Sequence, residues 1–196
     1  GLEGIWGYFT EPFGKNFLDS TGGKRLREIR LFRRERLDEL PRALPPKGYR
    51  LRSVSLPDDL DLAAGIYNDT FSGMWNFRPH GPEDIAEWFK GSDTAPEDCL
   101  IVETLEGGGG GIAVLAIEPA RVESSDPTAY VPDIGVTPSH RRKGLGRVLI
   151  SAAAERAQKR GLTAIELIAD NEDPVAKKFY KGLGFDEMGK IIVYEW

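Results

Sequence analysis

A basic, glycine-bearing run, Arg141-Arg142-Lys143-Gly144-Leu145-Gly146, constrains this chain more than any other feature. It follows a strand-like segment, Ala129–Val136, and opens a helix-like one, Leu145–Lys159. Strand, glycine loop and helix in that order make a holder for an anion. Glycine has no Cβ, so the backbone can turn sharply and come close to a ligand. Successive N–H groups then form a concave nest, and the helix N-terminus adds free donors and a positive dipole end. Arg141, Arg142, Lys143 and Arg147 add formal charge, which makes a pyrophosphate the natural guest. A Walker A loop needs Lys and Ser or Thr after its second glycine, and here Arg147-Val148 follow Gly146. A dinucleotide fingerprint needs a third glycine where this chain has Leu149.

Downstream, the apolar run Leu162–Ala169 is followed by Asn171, Ala176, Phe179-Tyr180 and Leu183-Gly184-Phe185. The two motifs, R-x-x-G-x-G and N-x-x-x-x-A-x-x-F-Y-x-x-L-G-F, occur in order between Ala129 and Phe185. Together they resemble the signatures of the GNAT superfamily of N-acetyltransferases. The resemblance loosens over Gly48–Glu118 and is nearly absent before Arg42. It implies an α/β fold: a mixed, mostly antiparallel central sheet with splayed fourth and fifth strands, flanked by helices. It also implies acetyl-CoA as cofactor, with coenzyme A held by Arg141, Arg142, Lys143, Gly144, Leu145, Gly146 and Arg147. The fourth strand, here Ala129–Val136, carries Pro132, which lacks an N–H and favours an edge or a bulge. A bulge would leave backbone groups of Asp133, Ile134, Gly135 and Val136 for the pantetheine arm. Asn171 matches a position that contacts the cofactor near its bend; an Asx turn closing the fifth strand is the alternative.

Bulk properties agree with an enzyme of the cytoplasm. The chain has 196 residues and a net charge of −5, so no global pull toward nucleic acid or an acidic membrane is expected. Gly1–Asp19 lacks a secretory-signal pattern, and apolar stretches are too short to span a membrane. One cysteine and two histidines offer neither an internal disulfide nor metal-ligand spacing, so no metal is expected.

Periodicity predicts strands at Tyr49–Val54, Leu100–Leu105 and Ile112–Ile117, and helices at Leu60–Phe71 and Pro82–Phe89. Asp59 reads as part of an N-cap, Gly107–Gly111 as a flexible hairpin turn, and the last strand as one strand or two split at Gly189-Lys190. Residues 47–196 read as the acetyltransferase domain, and residues 1–46 as an arm and linker. The arm does not open with Met, and its basic stretch Lys24–Arg36 leads into a new first strand. That arrangement resembles tandem GNAT proteins such as mycothiol synthase, which makes a remnant of a preceding repeat one reading. A basic surface for a partner or RNA, and a β-arm packed on the main domain, are the others.

Acetyl transfer to an amine needs a base for the amine, a hold on the oxyanion and a proton for the thiolate. Tyr180 matches the family position for thiolate protonation; a ring packed under the sheet is the structural alternative. Asp133 is the candidate base and Glu118 its rival, both also readable as solvated acids. Six aromatics between Tyr67 and Phe89 mark the acceptor wall, with Asn68, Phe71, Trp75 and Arg78 as candidate substrate contacts. A hydrophobic core under a long loop is the other reading. The expected reaction is direct acetyl transfer to a primary amine of a small molecule or peptide, with a homodimer as one option for assembly. The competing function is an acyl-CoA-binding module without turnover.

Overall fold

Cys99-Leu100-Ile101-Val102 and Ile112-Ala113-Val114 are apolar at consecutive positions, so strands built from them must be covered on both faces. The computed structural model describes residues 24–91, 93–118 and 125–195, together with Ser20, Gly22 and Val122. The Gly1–Asp19 stretch, where no secretory signal was read, lies outside the described residues. The chain divides into two compact units. One is Arg36–Ile165; the other joins Gly1–Glu35 with Glu166–Trp196.

In the first unit, strands β2 (Tyr49–Ser53), β3 (Cys99–Thr104), β4 (Gly109–Ala116) and β5 (Thr128–Val136) pair in that order, each antiparallel to the next. Helices α1 (Leu60–Phe71) and α2 (Pro82–Glu87) cover one face, where Ile66 and Ile85 pack with Ile101, Ile112 and Val114. Helix α3 (Leu145–Lys159) covers the other, where Leu145, Val148 and Leu149 pack with Leu100, Val102 and Ala113. Each buried Ile, Leu or Val among these contributes about 1.5–3 kcal/mol. Consecutive residues of β3 thus feed two different cores, as strand alternation requires.

The glycine run is not a turn throughout. The reversal occupies Leu105–Gly107, and Gly109, Gly110 and Gly111 already lie on β4. Space explains the composition: a Cβ on Gly109 would stand 2.3 Å from Ile66 Cγ1, and one on Gly111 2.7 Å from the Gly135 carbonyl. Thr137, just past β5, staples itself to this stretch through its N–H to the Gly110 carbonyl at 3.1 Å. Asp59 precedes α1, but its carboxylate makes no cap bond; it takes Arg52 Nη2 at 2.8 Å and the Ser55 N–H at 2.7 Å.

In the second unit the strand order is β6 (Ala164–Asp170), β1 (Lys24–Arg34), β7 (Asp186–Glu195), with helix α4 (Pro174–Gly182) between β6 and β7 in sequence. β7 is one strand, not two: its pairing with β1 runs from Glu195 to Asp186 with two register shifts, one between Arg25 and Arg27 and one between Leu31 and Phe32, opposite Gly189. The basic stretch is therefore a strand whose arginines meet acids of its own unit. Arg27 binds Asp170 at 2.7 Å, Arg30 binds Glu187 at 2.6 Å and Arg33 binds Glu166 at 2.8 Å. The whole is a mixed α/β fold whose seven described strands are mostly antiparallel. Among the described residues no helix is long and apolar enough to cross a membrane, and no cluster of His, Cys, Asp and Glu is placed to hold a metal.

Candidate active site

Pro132 interrupts β5 as its missing N–H requires. Asp133 pairs with Val114 and Tyr130 with Ala116, so three steps on β5 match two on β4. This is a bulge, and it resets the alternation of the strand. Beyond it, Asp133 and Gly135 face α1, while Ile134 and Val136 pack in the α3 core. Gly135 lets α1 come close, since a Cβ there would stand 2.3 Å from Thr70 Cγ2.

That closeness puts the Tyr67 hydroxyl on Asp133, to which it donates a hydrogen bond. The Tyr67 ring lies 4.8 Å from Phe71, 4.7 Å from His80 and 5.3 Å from Trp88. Asn68 fixes His80 by its backbone: the amide group donates to the His80 carbonyl and accepts from the His80 N–H, both at 2.8 Å. Burial pushes the Asp133 carboxyl from its ordinary 3.8 up to about 6, against the opposing pull of His80 and of the Tyr67 hydrogen bond. Burial, and then the charge of Asp133, push the Tyr67 phenol up to about 12, so it stays a donor. Glu118, the rival base, is exposed. A carboxyl with its pKa near neutrality, held against an aromatic wall, can take a proton from an incoming amine.

From Val136 the chain passes through a 3-10 turn at Pro138–His140 into the basic loop. Arg142 (φ 64°) and Gly144 (φ 85°) are both left-handed, on either side of Lys143. Such reversals aim successive N–H groups inward. Gly144 is the N-cap of α3 and offers no side chain, so the first-turn donors are not capped from within. A Cβ on Gly144 would meet nothing within 4 Å, so the requirement for glycine here is its backbone conformation. Leu145 is buried as an anchor, while Arg147 is exposed. The loop fits a pyrophosphate in donors, charge and room. Arg141 folds back on its own unit: its Nε donates to the Val136 carbonyl at 3.1 Å. Lys143 Nζ donates to the Tyr49 hydroxyl at 3.0 Å, and that hydroxyl meets His140 Nδ1 at 2.7 Å.

Trp75 is partly buried and Arg78 exposed on the loop after α1, and Phe71 packs against the α1–α2 core. The aromatic stretch therefore serves partly as core and partly as surface. Tyr180 and Asn171 lie in the other unit. There Tyr180 is buried at 6% exposure and Phe179 only partly, the packed-ring arrangement that was the structural alternative for Tyr180. The Tyr180 ring stands 5.7 Å from Phe32, 5.3 Å from Phe179 and 5.6 Å from Phe185. Burial raises its phenol above the ordinary value. Asn171 accepts from Arg30 Nε at 3.1 Å and Lys177 Nζ at 2.8 Å, and the Asx turn closing β6 is made by Asp170 instead, through Glu172 N–H at 2.9 Å.

Sequence reasoning missed Tyr67 and His80 as partners of Asp133, and Tyr49, itself bonded to His140, as the partner of Lys143. The only local signal was the aromatic density around Tyr67; Tyr49 and Lys143 are 94 positions apart.

The Acetyltransferase (GNAT) family matches over residues 60–185. An uncharacterized N-acetyltransferase of Methanocaldococcus jannaschii is 32% identical over 151 residues, covering 76% of this chain and 65% of that protein. A mycothiol acetyltransferase of Nocardia farcinica is 26% identical over 196 residues, covering 92% of this chain and 60% of that protein. The chain thus spans less than two thirds of the length of these curated relatives. Among solved structures, a GCN5-related N-acetyltransferase from Sphaerobacter thermophilus matches 93% of this chain and 55% of that one with a TM-score of 0.72 at 17% identity. A tandem GNAT protein from the clavulanic acid biosynthesis pathway matches 97% of this chain and 62% of that one with a TM-score of 0.70 at 14% identity. Both structures share the fold, and the family match, whose span contains the bulged strand, the loop and both motifs, decides the family: the chain belongs to the acetyltransferase (GNAT) family.

Proposed function

We propose that the chain is an acetyl-CoA-dependent N-acetyltransferase that acts by direct attack of a primary amine, on a small molecule or peptide, in the cytoplasm. The observation that carries this reading is Asp133: a carboxyl with its pKa raised to about 6, bonded to Tyr67, on the strand that runs into an uncapped, basic, glycine-bearing helix start. The nest Arg142–Gly144 and the first turn of α3 hold the pyrophosphate, with Arg142, Lys143 and Arg147 adding charge. Backbone groups of Asp133, Ile134 and Val136 pair with the pantetheine amides.

Acetyl-CoA supplies the acetyl group as a thioester. Asp133 takes a proton from the acceptor ammonium, and the freed nitrogen pair forms the C–N bond. Asn68, Phe71, Trp75 and Arg78 shape the acceptor side, with Asn68 acting through His80. The C–S bond breaks with its electron pair on sulfur. Tyr180, in the role the F-Y motif implies, donates a hydrogen bond to that sulfur while burial keeps the proton on its phenol. The second proton leaving the nitrogen passes through solvent to the sulfur, which gives the amide and the free thiol. The proton on Asp133 returns to solvent.

The test has two stages. Acetyl-CoA should raise the melting temperature, since a ligand at 100 times its Kd stabilises by about 2.7 kcal/mol. Release of the coenzyme A thiol is then followed across a panel of primary amines. No thermal shift at millimolar acetyl-CoA sinks the reading. A shift without thiol release for any amine leaves a binding module.

A further inference from the structure

Arg141 opens the R-x-x-G-x-G motif, yet its guanidinium turns toward two carbonyls of its own unit. The residue leaves the 3-10 turn in extended conformation, with φ −61° and ψ 161°. Its Nε donates to the carbonyl of Val136, the last residue of β5, at 3.1 Å. Its Nη2 donates to the carbonyl of Thr70 at 3.4 Å. Thr70 lies in the last turn of α1, where carbonyls have no partner within the helix. A cation there also meets the negative end of the helix dipole. One planar fork thus joins the end of β5 to the end of α1. The seam it closes is tightly packed: Thr70 is 6% exposed, and its methyl fills the space that Gly135 leaves open. Just past this turn come Trp75 and the left-handed Asn76 (φ 58°), the stretch assigned to the acceptor side.

We propose that Arg141 is a positioning residue that couples the phosphate loop to the last turn of α1 and the Ser72–His80 loop, so that cofactor binding orders the acceptor wall. The inference rests on the reading of the loop as the coenzyme A site. The loop keeps Arg142, Lys143 and Arg147 for the phosphates, and Lys143 is held separately by Tyr49 at 3.0 Å. A lysine at 141 would keep the charge and lose the fork, since an ammonium is a point charge with no planar pair of donors. Charge and tie can therefore be separated.

The experiment is hydrogen exchange with and without saturating coenzyme A, on the wild type, Arg141→Lys and Arg141→Gln, alongside calorimetric Kd values for coenzyme A. In the wild type, coenzyme A should slow exchange both at Leu145–Val148 and at Thr70–Phe77. In Arg141→Lys the Kd should stay within about fivefold, as for one exposed charge. Protection at Leu145–Val148 should persist, and protection at Thr70–Phe77 should fall by half or more. Arg141→Gln should lose the Thr70–Phe77 response as well. The coupling is overturned if Thr70–Phe77 responds equally in all three proteins, if it does not respond in the wild type, or if Arg141→Lys weakens coenzyme A more than about tenfold, the mark of a direct phosphate ligand. A wild type that does not bind coenzyme A removes the cofactor reading itself.

Discussion

Asp133→Asn separates the proposed catalytic role of this carboxyl from its energetic one. The folded protein holds the Asp133 proton more tightly than the unfolded chain does, with a pKa of about 6 against an ordinary 3.8. A raised acid pKa contributes stability that is fully present below the unfolded pKa and is lost as pH rises through the folded one. By pH 7 the ionised, partly buried carboxylate therefore burdens the fold. Two units at 1.36 kcal/mol each give about 2–3 kcal/mol. Asparagine has nearly the same shape and can still accept the Tyr67 hydroxyl, but it carries no charge. The variant should match the wild type in stability near pH 4, then exceed it progressively to about 2–3 kcal/mol at pH 7 and above. For a chain of this size that is a rise in Tm of roughly 4–12 °C. Acetyl transfer should meanwhile fall by about 10²-fold or more, the usual scale for a general base. Thermal melts of both proteins between pH 4 and 8, with turnover on one competent amine, measure both effects. A variant that is no more stable than wild type at pH 7 would refute the burial argument, and unimpaired turnover would remove Asp133 as the base.

Three other outcomes are expected. Tyr67→Phe deletes the hydrogen bond that holds the Asp133 pKa down, so the acid limb of the rate profile should move above pH 6; a limb that stays or moves lower means the two groups are not coupled. Gly144→Asp should weaken coenzyme A binding more than Arg147→Ala does in calorimetry, because aspartate puts a Cβ on a residue at φ 85° and a negative charge beside the phosphates; equal Kd values would show that the backbone nest does not cradle them. Tyr180→Phe keeps the buried ring among Phe32, Phe179 and Phe185 and removes only the hydroxyl, so single-turnover acetyl transfer should drop by about 10²-fold with little change in melting temperature; full activity would assign Tyr180 to packing alone.

Local patterns carried most of the element assignments. Helices α1 and α3 span the residues that their apolar periodicity marks, and the basic glycine loop that opens α3 is written in consecutive positions. What was not legible depends on contacts distant in sequence. The glycines at 109–111 look like a turn, and only the proximity of Ile66 and the Gly135 carbonyl shows why they belong to a strand. Lys24–Arg34 looks like a solvated basic surface because its acid partners, Glu166, Asp170 and Glu187, lie more than 130 positions away. The parity of Asp133 could not be read either, because a bulge breaks the two-residue period on which such readings rest.

The bulge at Pro132 and the glycine at 135 are parts of one physical arrangement. A strand without the extra residue would change the face on which Asp133 stands relative to Tyr130, since one step of register moves a side chain to the opposite side. With the bulge in place, Asp133 stands on the α1 face; without a glycine two residues later, α1 could not approach closely enough for Tyr67 to reach it and for burial to hold its proton. The same strand then ends at Val136, whose carbonyl receives Arg141 as the chain turns into the loop. The proposed base and the basic loop are thereby set by one short stretch of backbone, residues 132–144, in which Pro132, two glycines and a left-handed arginine fix the geometry. On the proposed reading, changes to α1 that leave this stretch intact alter the acceptor side while preserving the Asp133 environment and the loop geometry.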